Sequence, residues 1–137
     1  MSDDRSIVYY SGALLDEASG RKLASHIQRE GERPLSAEAF HVTLMYSKSW
    51  FTYRAADAPF PILLEPPFDT TLFGSICVLL FVPPPAVIQR HQAFLASGAK
   101  FSYPTYSPHI SLCKGVLVAP PRFPLLLASE YYGTWKE

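Results

Sequence analysis

His41-Val-Thr-Leu-Met-Tyr-Ser47 and His109-Ile-Ser-Leu-Cys113 decide the fold of this chain. Each begins by alternating a polar with an aliphatic residue, the period of a half-buried strand. Successive side chains of a strand point to opposite faces. His41 and Thr43 therefore share one face and Val42 and Leu44 the other, while His109 and Ser111 stand opposite Ile110 and Leu112. Each strand is expected to bury its aliphatics in its own lobe and to offer an imidazole and a hydroxyl to the other side.

The two histidines lie 68 residues apart, and the same shift maps the chain before one onto the chain before the other. Ile7 to Leu15 is a buried first strand, and its Val8–Leu14 core lands on the apolar run Ile76–Val82. Asp16 is a fair N-cap with Glu17 in the first turn, and it lands on Pro84 within Pro83-Pro-Pro85, a proline run that suits a helix start. Ala18, Leu23 and Ile27 give the first helix its apolar face, and Val87, Ile88, His91, Phe94 and Leu95 give the second its own. Gly31 ends one helix and Gly98 the other, one residue short of the 68-residue shift. Strand–helix–strand thus occurs twice, over halves at about 6–50 and 74–118 of one domain spanning 1–137. This predicts an α+β fold of two pseudo-symmetric halves, whose antiparallel sheets flank a central cleft where the histidine strands meet.

Between these units lie a polar link, Glu32–Glu38, and a loop, Trp50–Ala58. Prolines 59, 61, 66 and 67 confine Ile62–Leu64 to an edge strand. Phe68–Gly74 reads as a further strand, Tyr103–Pro108 as a turn-rich approach, and Leu125–Tyr132 as a last strand after three prolines.

With 137 residues, 48% hydrophobic and 18% charged, the chain is long and apolar enough for one globular core. Twelve basic residues balance twelve acidic ones, which argues against a protein that coats nucleic acid but leaves room for a nucleotide pocket. No Gly-rich phosphate loop is present, which excludes the common nucleotide-hydrolase and dinucleotide classes. Cys77 and Cys113 fit no metal spacing and read as buried free thiols of a reducing compartment. The longest proline-free apolar run is too short for a membrane span, and the acidic start Met1-Ser-Asp-Asp-Arg5 is not a secretory signal. The expectation is a cytoplasmic monomer with no metal, no cofactor, no membrane and no stable nucleic-acid complex.

Two imidazoles and two hydroxyls around one small volume suit a phosphodiester. One imidazole can take a proton from an attacking hydroxyl while the other gives one to the leaving oxygen. Thr43 and Ser111 can donate to the non-bridging phosphoryl oxygens, and no metal is required.

On these residues the chain resembles the two-histidine (2H) phosphoesterases, whose signature is a pair of H-h-[T/S]-h motifs, one per half. The resemblance assigns His41 and His109 as catalytic histidines and Thr43 and Ser111 as phosphate-binding hydroxyls in a bilobal fold. Within that group, the compact length, the stretch His41–Lys48 and the approach Tyr106-Ser-Pro-His-Ile-Ser-Leu112 look like the phage anti-CBASS nucleases. The resemblance implies hydrolysis of the 3′–5′ bonds of cyclic di- and trinucleotide immune signals. It also implies base-holding roles for Tyr10 and for the tail residues Glu130 and Trp135, while Lys48, following its histidine strand, could add charge near the phosphate. By residue type alone, Tyr10 is a core or rim aromatic, Trp135 a cap over the sheet, and Lys48 and Lys114 solvated strand ends. His91 is packing and His26 solvent-facing. The rival functions are hydrolysis of RNA-terminal 2′,3′-cyclic phosphates and non-catalytic sequestration of a cyclic nucleotide.

Overall fold

A computed structural model of the chain describes residues 7–35, 40–51 and 60–136, with the backbone alone at 135 and 136. The elements run β1 Ile7–Leu15, α1 Glu17–Arg29, β2 His41–Ser47, β3 Ile62–Leu64, β4 Asp69–Phe73, β5 Ile76–Leu80, α2 Pro85–Ala96, β6 His109–Lys114 and β7 Leu125–Lys136. Two antiparallel sheets result, ordered β2-β1-β7-β3 and β4-β5-β6. Most of the expected polar link and loop falls at 36–39 and 52–59, outside the described residues. Ile62–Leu64 is an edge strand, as its prolines require, and among the described residues it pairs with β7 alone.

Partners set the strand lengths. β5 stops at Leu80, short of the expected Val82, because its partner β6 begins at the opposing His109. β7 runs on past Tyr132 because β1 continues beside it, Ile7 facing Lys136.

Both helices start and stop where the sequence punctuates them. Asp16 caps α1 by accepting from the Ser19 N–H at 2.7 Å, and that bond holds its carboxyl below the usual carboxylate range. Gly31 and Gly98 follow α1 and α2 with φ of 83° and 116°, the left-handed geometry that glycine tolerates best. The buried faces differ from expectation at Ala18 and Ser19 on α1, and on α2 at Arg90, Leu95 and Ile88, the last of which is half-buried. Ser19 rather than Ala18 is buried on α1, where its hydroxyl accepts from Leu126 N–H at 2.9 Å. On α2 the buried stripe is Val87, Arg90, His91 and Phe94, and Leu95 is exposed. The face is rotated toward Arg90 because Glu130 of β7 lies beneath it, with both carboxylate oxygens 3.0 Å from Nε.

The two halves share one buried core. Val42 and Leu44 of one half and Ile110 and Leu112 of the other belong to a single buried cluster. α2, from the second half, lies on β2 of the first, with Phe94 packed 4.9 Å from Phe51.

The two halves share a feature the 68-residue shift did not foresee. Ser11 faces Met45 and Gly12 faces Thr43, so Leu44 is an extra residue, a β-bulge. Cys77 faces Cys113 and Val78 faces Ser111, so Leu112 is the extra residue of a second bulge. The bulges explain why Leu44 and Met45, and again Leu112 and Cys113, are buried in succession. They also correct the register: His41 faces Leu14 and His109 faces Leu80, so the first strands are related by 66 residues and the histidine strands by 68. An even slip keeps every side chain on its face.

Candidate active site

β2 and β6 approach one another, and the alternation read from sequence holds in both. Val42, Leu44, Ile110 and Leu112 are buried, while His41, Thr43, His109 and Ser111 are half-buried on the other face. Thr43 from one motif and His109 from the other line a single cavity of about 420 Å³. Its wall is aromatic, with Tyr46, Phe73, Phe101 and Tyr106 among the lining residues.

His109 is oriented by its own approach segment. Nδ1 lies 2.8 Å from the Ser107 carbonyl, which can only accept, so Nδ1 carries a proton and Nε2 is left for the cavity. Phe73 stands edge-on to the ring at 4.8 Å. His41 sits among tyrosines, its ring nearly perpendicular to Tyr10 at 6.1 Å and to Tyr131 at 6.3 Å. Tyr10 and Tyr131 pack on each other at 5.4 Å across Gly12. A side chain at Gly12 would occupy the space those rings fill.

Thr43 takes part in a relay. Its Oγ1 lies 2.9 Å from the Tyr10 hydroxyl. Burial pushes the Tyr10 phenol well above its ordinary range, so it stays protonated, and either hydroxyl can donate in this bond. When Tyr10 donates, the Thr43 hydroxyl proton is left for a third partner, the role a phosphoryl oxygen would fill. Ser111 occupies the matching position opposite Val78 in the second sheet.

The other expected residues divide. Tyr10 is in the site, though only 7% exposed. Glu130 is not brought to the cleft: its side chain is 1% exposed and held by Arg90 and by the Ser11 hydroxyl at 3.0 Å. Strand alternation places it on the face of β7 opposite Tyr131. The backbone of Trp135 pairs with Val8, and its side chain lies outside the described residues. Lys48 and Lys114 are exposed at their strand ends and do not line the cavity. His26 is half-buried, not solvent-facing, because its Nε2 reaches the Ala119 carbonyl and its ring meets the face of Phe123. Among the described residues no three His, Cys, Asp or Glu side chains converge on one point. Cys77 and Cys113 face each other in the core, and burial beside a second thiol pushes Cys113 up to about 11, which leaves it unreactive.

Sequence reasoning missed Tyr131, Tyr106 and Gly12 at the site. Only Gly12 carried a signal, as a glycine inside a strand where another group approaches closely.

Two antiparallel sheets whose paired H-h-[T/S]-h strands meet over one cavity define a 2H phosphoesterase fold. The crystal structure of E. coli LigT complexed with NADP+ superposes with a TM-score of 0.61 at 17% identity, over 96% of this chain and 97% of that one. A crystal structure described as a phosphoesterase superposes with a TM-score of 0.54 at 20% identity, over 94% of this chain and 97% of the other. Residues 8–130 match the family described as anti-CBASS protein Acb1, and the chain belongs to that family. The anti-CBASS protein Acb1 of Vibrio phage KVP40 is 31% identical over 115 residues, 81% of this chain and 75% of that protein. Its counterpart in Yersinia phage phiR1-RT is 31% identical over 113 residues, 77% of this chain and 74% of its own length.

Proposed function

We propose that the chain is a metal-independent phosphodiesterase that hydrolyses 3′–5′ bonds of cyclic di- or trinucleotide immune signals, acting for a phage inside its host's cytoplasm. The observation that carries this reading is the shared cavity, where Thr43 of one motif and His109 of the other face one volume. Membership of an anti-CBASS family supports the choice of substrate class.

The chemistry follows from the residues. With Nδ1 tied to Ser107, His109 works through Nε2, as a base when neutral and as an acid when charged. His41 supplies the complementary group. One imidazole accepts the proton of the attacking hydroxyl as the new P–O bond forms. The other delivers a proton to the departing oxygen as the old P–O bond breaks; the step leaves the first imidazole protonated and the second neutral, and proton exchange with water restores both before the next turnover. Thr43, oriented by Tyr10, and Ser111 donate to the phosphoryl oxygens as these gain charge. A cavity of about 420 Å³ with aromatic walls is of the size that ligand pockets take and offers ring faces to a base. A balanced net charge fits a small nucleotide better than long RNA.

The deciding experiment incubates the protein with a cyclic dinucleotide in EDTA and separates the products by chromatography. Linear product is expected from the wild type and none from His41→Ala or His109→Ala, since each general acid or base contributes about 10²–10⁴-fold. Exclusive cleavage of an RNA ending in a 2′,3′-cyclic phosphate, or release of the ligand intact, would overturn the reading.

A further inference from the structure

We infer that His91 and Tyr106 form a clamp on the bulge of β2 that positions Thr43 against His109, and that both are positioning residues for turnover. The inference rests on the phosphodiesterase reading of the site.

The Tyr106 hydroxyl donates to the Thr43 carbonyl at 2.7 Å. His91 Nδ1 donates to the carbonyl of the next residue, Leu44, also at 2.7 Å. The two donor rings are stacked on each other, 3.8 Å apart and within 4° of parallel. Phe101 stands edge-on to both, at 4.8 Å from His91 and 5.7 Å from Tyr106. Consecutive backbone carbonyls at the bulge are thus gripped from outside the sheet by one rigid aromatic unit. Burial lowers the His91 pKa and raises that of Tyr106, so both stay neutral donors.

Two further observations tie the clamp to the chemistry. Tyr106 and Ser107 are adjacent, and Ser107 accepts from His109 Nδ1 while Tyr106 donates to Thr43. One dipeptide therefore sets the distance between the phosphate-binding hydroxyl of one half and the imidazole of the other. In the second half the bulged carbonyl, Leu112, also receives an outside donor, but it is the backbone N–H of Leu35 at 2.9 Å. The need for such a donor recurs with the bulge, and the first half meets it with side chains.

Tyr106→Phe keeps the stack and removes one donor. His91→Leu removes donor and ring, whereas His91→Asn restores an N–H close to the place of Nδ1. The measurements are kcat, KM and Tm for the full chain on a cyclic dinucleotide. Tyr106→Phe is expected to lower kcat about tenfold with KM within about twofold, because misplacement of around 1 Å costs up to about 10²-fold. His91→Leu is expected to lose at least as much, and His91→Asn to recover most of it. A Tm decrease with kcat within about twofold of wild type in Tyr106→Phe and His91→Leu would leave the clamp merely structural and overturn the inference. So would a loss carried wholly by KM. If the wild type cleaves no phosphodiester at all, the reading of the site fails and the inference falls with it. An active wild type beside unimpaired clamp variants refutes the inference alone.

Discussion

Replacing Gly12 with alanine separates the packing of the tyrosine pair from the backbone that carries it. A Cβ at Gly12 would stand 2.8 Å from the Tyr10 hydroxyl, 2.9 Å from Tyr10 Cε1 and 2.9 Å from Tyr131 Cε1. All three are closer than side chains tolerate, so at least one ring must move. The backbone itself is not left-handed, and in isolation alanine would stabilise a strand by about 0.5–1 kcal/mol. Overpacking opposes this by about 1–3 kcal/mol, and loss of the Tyr10–Thr43 hydrogen bond adds about 0.5–1.5 kcal/mol. The net effect is a destabilisation of about 0.5–4 kcal/mol, and a value near the middle of that range lowers Tm on the order of 5–10 °C for a domain of this size. Gly20→Ala is the control, since Gly20 lies within α1 and nothing stands within 4 Å of its added Cβ. There alanine should stabilise by about 0.5–1 kcal/mol and raise Tm by a few degrees. Displaced tyrosines also take the orienting donor from Thr43 and the packing from His41, so kcat for Gly12→Ala should fall about tenfold, the rate equivalent of ~1.4 kcal/mol. Thermal melts and single-substrate kinetics on both variants decide the matter. A Gly12→Ala protein that melts at or above the wild type while Gly20→Ala behaves as expected would show that the rings are loosely held and do not orient Thr43.

Three other outcomes are expected. Glu130→Ala should destabilise the fold by about 3–5 kcal/mol, because buried Arg90 loses the carboxylate that pairs with it, and Arg90→Met/Glu130→Leu should recover most of that; an unchanged urea midpoint for the single variant would contradict it. Thr43→Val and Ser111→Ala should each lose about 3 kcal/mol of transition-state stabilisation, on the order of 100-fold in kcat, with far-UV circular dichroism unchanged. Equal turnover in both variants would mean that the strands present their other face to the substrate. Burial keeps His91 neutral in the folded chain, whereas the unfolded chain takes up a proton as pH falls below about 6.5. Its contribution to stability is therefore complete above that pH and lost below it, so melts of His91→Asn between pH 7.5 and 5 should show a shallower fall than the wild type.

The histidine strands were legible because their period survives in the fold: His41, Thr43, His109 and Ser111 fall on the face that alternation predicts. The bulges were legible too, had the doublets Leu44-Met45 and Leu112-Cys113 been taken as signals. Two apolar residues in a row break strict alternation, and one extra residue restores it. Arg90 could not be read, because an arginine on a helix is ordinarily solvated and its partner lies 40 residues away. Glu130, given a base-holding role by resemblance, lies buried against Arg90 and Ser11, a placement set by tertiary packing that no local pattern announces. Tyr106 precedes β6 by three residues, and nothing local announces a hydroxyl aimed at a carbonyl 63 residues back.

The position of the two motif strands within their sheets explains why the bulges are tolerated and where the cleft comes from. β2 and β6 are both edge strands, in the orders β2-β1-β7-β3 and β4-β5-β6. A bulge in a central strand must be accommodated by two neighbours, whereas an edge strand has to match only one. An open edge, in turn, invites pairing with another chain and has to be covered. Each half covers the other's edge. Ser102 N–H donates to the Tyr46 carbonyl at 3.1 Å and Lys100 N–H to the Ser47 hydroxyl at 2.9 Å, so the second half lies along β2. Leu35 N–H donates to Leu112, so the first half lies along β6. Covering one edge with the other half brings the two bulged strands to a common seam. Their aliphatics turn inward on both sides of it, and the opposite faces leave Thr43 and His109 to line it. The cavity that holds Thr43 and His109 is in this sense a product of edge protection, and a substitution that loosens either cover should open the seam before it unfolds a sheet.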